Sequence, residues 1–203
     1  MPAPARPPDP AAAPAVSQPP SAGRPLRLFV ALDLPEPVRD ALAALAAAAD
    51  PDVWRPVKRD GLHVTLAFLG ARPPADVAAI DALLAPEAGG PAPPLALAEA
   101  EVLPPRRGRV LTARVDDPSG GLAALQARLS AALAGAGLYT PEKRPFHAHA
   151  TVARLRPHAR PPRSAGLPLE PLEFTPDAVT LYVSRLHPKG ARYEPLARAP
   201  LTR

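Results

Sequence analysis

Two short stretches of strict alternation, far apart in the chain, each carry the pattern His-x-Thr. The first is Leu62 to Leu69 (LHVTLAFL), with His63 and Thr65. The second is Phe146 to Leu155 (FHAHATVARL), with His149 and Thr151. Residues two apart on a strand share a face. Each histidine therefore sits beside its threonine, while Val64, Leu66 and Phe68 point the other way, into a core. Two such strands brought together form one groove holding two imidazoles and two hydroxyls. That set suffices for acid–base chemistry on a phosphate with no metal.

The rest of the chain supplies a scaffold for those strands. Leu26 to Leu32 reads as a strand. Pro35 and Pro37 open an alanine- and leucine-rich helix to about Ala49, proline being tolerated in a first helical turn. Trp54 lies in a short extended piece and reads as core. The first motif strand follows and is expected to end at Gly70. A helix from Asp76 to Leu84 is expected to stop near Pro86. Two strands, about 95–103 and 109–115, turn through Pro104 to Gly108, and Leu122 to Ala134 is a helix with glycines just past its end. After the second motif strand, a Pro/Arg-rich loop leads to final strands at 178–186 and 193–196. The order repeats one motif per half, like a diverged duplication. The expectation is an α+β protein of two pseudo-symmetric lobes, each with a mainly antiparallel sheet and flanking helices.

Composition removes several classes of function. The 203 residues include no cysteine, which excludes disulfides, thiolate metal sites and cysteine nucleophiles. No apolar run approaches the ~20 residues of a membrane span. Residues 1–24 hold eight prolines and little to bury, so they read as a disordered tail preceding one folded unit, 25–203. Prolines also interrupt any apolar run there, so the tail does not read as a signal peptide and a cytoplasmic location is expected. The net charge of +5 favours a polyanionic partner. Arginines cluster at Arg106, Arg107 and Arg109, and again at Arg154, Arg156, Arg160 and Arg163; Lys143 and Arg144 form a further basic pair. In a chain so rich in alanine, proline and arginine, as from a GC-rich genome, a single cluster is ordinarily solvated surface.

Several blocks together resemble the 2H phosphoesterases, in the RNA 2′,3′-cyclic phosphodiesterase (2′-5′ RNA ligase-like) branch. The opening RLFVAL is similar to that branch's first strand, Trp54 with LHVTLAFLG to its first signature, FHAHATVARL to its second, and SRLHPKGARYEPL to its closing hairpin. The resemblance spans about residues 26–197. It implies a bilobal fold with a central cleft, and hydrolysis of a terminal 2′,3′-cyclic phosphate on RNA or a nucleotide to a 2′-phosphate. Some relatives also run the reverse direction as 2′-5′ ligation. It further implies His63 as proton donor and His149 as proton acceptor, with Thr65 and Thr151 as their paired hydroxyls and Arg154 on the substrate. No cofactor, metal, membrane or obligate protein partner is implied, and a monomer is expected. One departure is His147, which stands where relatives often carry arginine (Phe-Arg-Pro-His).

These residue types suit the reaction. Imidazole titrates near ~6.5, so histidine can serve as acid or base around neutral pH. The threonine hydroxyls can stabilise charge that builds on the non-bridging oxygens, and Arg154 can clamp the same oxygens. Regular alternation sets Arg154 on the face opposite His149, so a bulge or the strand's end must redirect it. Two other readings compete. His147, His149 and His63 could ligate a metal, which would leave the threonines idle. The chain could also be a catalytically inactive RNA-binding module, against which stand two intact motifs and only 4% aromatic residues. His158 and His187 read as surface residues, and His147 stays open between structure and substrate contact.

Overall fold

A computed structural model describes residues 23–105, 107–185, 187 and 190–202. Of the expected tail, residues 1–22 lie outside the described residues, as do Arg106, Leu186, Pro188, Lys189 and Arg203. The elements run β1 (Leu26–Asp33), α1 (Glu36–Ala48), β2 (Trp54–Pro56), a 3-10 turn (Arg59–Gly61), β3 (His63–Arg72), α2 (Asp76–Ala88), β4 (Leu95–Leu103), β5 (Val110–Asp116), α3 (Gly121–Gly135), β6 (His149–Leu155), β7 (Leu172–Phe174), β8 (Ala178–Arg185) and β9 (Arg192–Pro200).

All named strands join a single nine-stranded sheet in the order β7-β4-β5-β6-β3-β1-β8-β9, with β2 paired to β6. The two sheets expected from the repeat are thus hydrogen-bonded into one. Their seam is narrow: β3 meets β6 through a single register pair, Val64 opposite Ala150. The last strands, β8 and β9, join the half that carries the first motif, because β8 pairs with β1. Helices also cross the seam. α1 packs on β6 and β2, α3 packs on β3, and α2 packs on β8, β9 and α3. The two halves therefore share packing as well as one sheet.

The core lies between the sheet and these helices. α3 buries Leu122, Leu125, Leu129 and Leu133, spaced three and four apart, against the strands. Each such leucine stabilises the fold by roughly 1.5–3 kcal/mol. Asp117 Oδ2 accepts from the Ala123 N–H near the start of this helix at 2.9 Å. Gly137, at φ +69°, turns the chain at its other end, where the Leu138 N–H donates to the Leu133 carbonyl at 2.9 Å.

Two boundaries differ from expectation. α2 continues through Pro86 to Ala88, since a proline in the last turn forfeits only one helical hydrogen bond. β3 runs past Gly70 to Arg72, because Gly70 adopts φ +73° at an irregularity within the pairing with β1. Trp54 is buried in the core, as expected, at 3% exposure.

Candidate active site

Val64 and Ala150, both fully buried, face each other across the seam. Their strands are antiparallel, so the residues flanking each alternate to the opposite face. His63 and Thr65 on β3 and His149 and Thr151 on β6 all line that other face. Continuing the register places His63 beside Thr151 and Thr65 beside His149. A pseudo-twofold axis thus passes through the Val64–Ala150 pair, with the histidines on one diagonal and the threonines on the other.

The two imidazoles are held alike. The His63 Nδ1–H donates to the Gly61 carbonyl at 2.8 Å, and the His149 Nδ1–H donates to the His147 carbonyl at 2.7 Å. A carbonyl can only accept, so each bond fixes the proton on Nδ1 and leaves Nε2 to the cleft. The Thr65 and Thr151 hydroxyls make no hydrogen bond to any described residue. Their neighbours are engaged: Thr112 donates to the Glu101 carbonyl at 3.3 Å and Thr180 to Asp33 at 2.9 Å.

A β-bulge follows each motif at the same step. β3 slips against β1 at Leu66, and β6 slips against β5 at Val152. Consecutive residues there are both buried, Leu66 with Ala67 and Val152 with Ala153. The alternation reverses afterwards. Arg154 consequently rejoins the histidine face, as the bulge anticipated from parity requires. Phe68 does the same, so the expectation that it points into the core is corrected: the residue is 43% exposed. Arg154 and Phe68 are pseudo-symmetric counterparts, each five residues after its histidine, and they give the cleft one cationic and one apolar end.

The surroundings of the two histidines differ. His63 sits in a box of rings, 4.9 Å from Phe29, 5.2 Å from Tyr193 edge-on and 6.2 Å from Tyr182. Burial there pushes its pKa down to about 4, outweighing the Gly61 hydrogen bond and the Asp33 charge, which raise it; Arg154 and His149 add to the lowering. Asp33 lies opposite His63 on β1 and accepts from Tyr182 at 2.8 Å, Thr180 at 2.9 Å and Arg198 at 3.2 Å. Opposite His149 on β5 stands Arg114, paired with Glu99 at 3.1 Å, Glu101 at 3.4 Å and also Asp116.

His147 stacks on His149 with ring centroids 5.6 Å apart, and its Nε2 bonds Glu101 Oε2 at 2.9 Å. Among the described residues no group of three or more His, Asp or Glu side chains stands close enough together to hold a metal ion. His158 and His187 are exposed. Asp33, Tyr182 and Tyr193 escaped the sequence reading, although a carboxylate closing the apolar run of β1 was a visible signal for the first.

Cavities open at both ends of the cleft. One of about 380 Å³, at the His63 end, is lined by Arg154, Gly61, Tyr193 and further basic residues. The other, of about 740 Å³, is lined by His149, Thr65, Phe68, Tyr139, Phe146 and His147.

With this geometry in hand, the chain's relatives can be placed. The profile of the 2′-5′ RNA ligase superfamily matches residues 30–188, and the chain belongs to that family. It is 35% identical over 181 residues to the RNA 2′,3′-cyclic phosphodiesterase of Escherichia coli K12, covering 88% of this chain and 98% of that one. Its fold matches TT0787 of Thermus thermophilus with a TM-score of 0.75 at 32% identity, covering 87% and 98% of the two chains. It also matches E. coli LigT complexed with 3′-AMP, with a TM-score of 0.73 at 33% identity over 88% and 99%.

Proposed function

We propose that this chain hydrolyses terminal 2′,3′-cyclic phosphates on RNA to 2′-phosphates by acid–base catalysis between His63 and His149. The observation that carries the reading is the diagonal pair of Nε2 atoms with two unengaged hydroxyls between them. A cyclic phosphate set over the Val64–Ala150 axis meets an imidazole at each side and a threonine on each non-bridging oxygen. The curated relative bears the name of this activity.

Water attacks phosphorus in line with the bond to O3′. The base removes the water proton, the P–O3′ bond breaks, and the acid protonates the departing O3′. The phosphate stays on O2′. His63 is assigned as the acid and His149 as the base. Burial keeps the His63 imidazole neutral around neutral pH. A bound phosphate anion changes that balance: with Asp33 it favours the imidazolium, and an acid desolvated in this way transfers its proton readily. Thr65 and Thr151 donate to the non-bridging oxygens as charge builds on them, and Arg154 supplies a cation at the same oxygens. The reaction balances without a cofactor. Both motifs come from one chain, so the site is complete in a monomer, and we place the protein in the cytoplasm.

The cavity at the His149 end favours a second use of the same site. Its 740 Å³ far exceeds what an attacking water needs, and Phe68 and Tyr139 offer rings for a base. A nucleoside bearing a 5′-hydroxyl fits the position of the water, which is the 2′-5′ ligation direction. Among the described residues no helix is long and apolar enough to cross a membrane.

The test is hydrolysis, in EDTA, of a short RNA ending in a 2′,3′-cyclic phosphate. Wild type is expected to yield the 2′-phosphate, with His63→Ala and His149→Ala nearly inactive. Turnover that requires added metal, or that is indifferent to His63, sinks the mechanism.

A further inference from the structure

The proton order above determines on which side of the phosphate the ribose lies. With O3′ protonated by His63, the ribose and the strand continuing from its 5′ carbon extend from the His63 end. There the 380 Å³ cavity opens, bounded by Gly61, whose carbonyl holds the His63 ring, and by Tyr193. Its walls carry Arg55, Lys58, Arg154 and Arg192.

These four cations differ from several others among the described residues, which are held by carboxylates. Arg59 is bound by Glu36 and Asp40, Arg72 by Asp76, Arg114 by three carboxylates, and Arg198 by Asp33. None of the four in the groove is ion-paired with a described carboxylate. Arg55 and Arg154 moreover face each other directly across the β2–β6 register, a placement that repels unless an anion lies between them. Two carboxylates also line the groove, Asp60 and Glu194, and the second is held by Arg185 at 2.6 Å. Guanidinium groups match phosphodiester oxygens in geometry as well as charge.

We propose that this groove binds the phosphodiesters immediately upstream of the reactive end, so that the enzyme selects oligonucleotide over mononucleotide 2′,3′-cyclic phosphates. The proposal rests on the cyclic phosphodiesterase reading and on the assignment of His63 as the acid. It makes Arg55, Lys58 and Arg192 specificity residues, placed beyond the atoms that react.

The experiment compares kcat/KM for adenosine 2′,3′-cyclic phosphate with that for a trinucleotide ending in the same group, using the full chain. Wild type is expected to prefer the trinucleotide roughly tenfold. For two contacted phosphates that preference should shrink about sevenfold between about 50 and about 200 mM salt. Arg55→Glu with Arg192→Glu should bring the ratio near one. Arg128→Glu, on α3 and paired with Glu87, should keep the wild-type ratio. Turnover of both substrates at equal kcat/KM by wild type overturns the groove alone, as does a double variant that lowers both equally. No turnover of either substrate by wild type overturns the underlying reading, and the groove with it.

Discussion

His63 ties the stability of this protein to pH, and the size of the effect follows from its surroundings. Its ring is packed among Phe29, Tyr182 and Tyr193, and burial brings its pKa from 6.5 to about 4. As pH falls, the unfolded chain takes up a proton on this imidazole near 6.5, whereas the folded protein does so only near 4. Between those values acid favours the unfolded chain. The contribution is intact above about pH 6.5 and is lost as pH falls through about 4. Each pH unit is worth ~1.4 kcal/mol, so the loss reaches about 2 kcal/mol at about pH 5 and about 3 kcal/mol at about pH 4. His63→Gln removes the titrating group. Urea unfolding between about pH 7.5 and about pH 5 should therefore cost wild type about 2 kcal/mol more than the variant. At a urea m-value of ~2 kcal/mol/M that difference moves the midpoint by about 1 M. Equal pH dependence in the two proteins, or a folded-state His63 imidazole that titrates near 6.5 by NMR, would refute the reasoning.

Two further outcomes bear on catalysis. A substrate with sulfur in place of O3′ releases a thiolate that needs no proton; His63→Ala should recover most of its activity on that substrate while His149→Ala does not, and the opposite pattern would exchange the two roles. Thr65→Ala and Thr151→Ala should each lower kcat about a hundredfold by removing one donor to the transition state, whereas Thr→Ser at either position should keep most of the rate; unchanged kcat in the alanine variants would deny the hydroxyls that task.

Much of the site was legible because it is local. Alternation sets a histidine and a threonine two residues apart on one face of a strand where no bulge falls between them, so His63, Thr65, His149 and Thr151 could be picked out as candidates from the order of residues. The same holds for the helices, whose leucines recur at helical spacing, and for Trp54, an apolar ring between polar turns. Phe68 was misplaced because alternation holds only while the register does. The bulge at Leu66 arises from pairing with β1, and nothing in LHVTLAFL marks it. β7, three residues long, is a strand only because β4 offers an edge to it.

What the sequence by itself determined, then, is that each histidine shares a strand face with its threonine. Tertiary structure alone decided that the two pairs meet, through the register that sets Val64 opposite Ala150 and the helices that pack across the seam. It also decided the difference between the two histidines. Identical motifs occupy different surroundings because β1 and β8 bring Phe29, Asp33 and Tyr182 to His63, while β5 brings Arg114 to His149. Burial and neighbouring charge depend on residues remote in sequence, and those are what set a proton affinity.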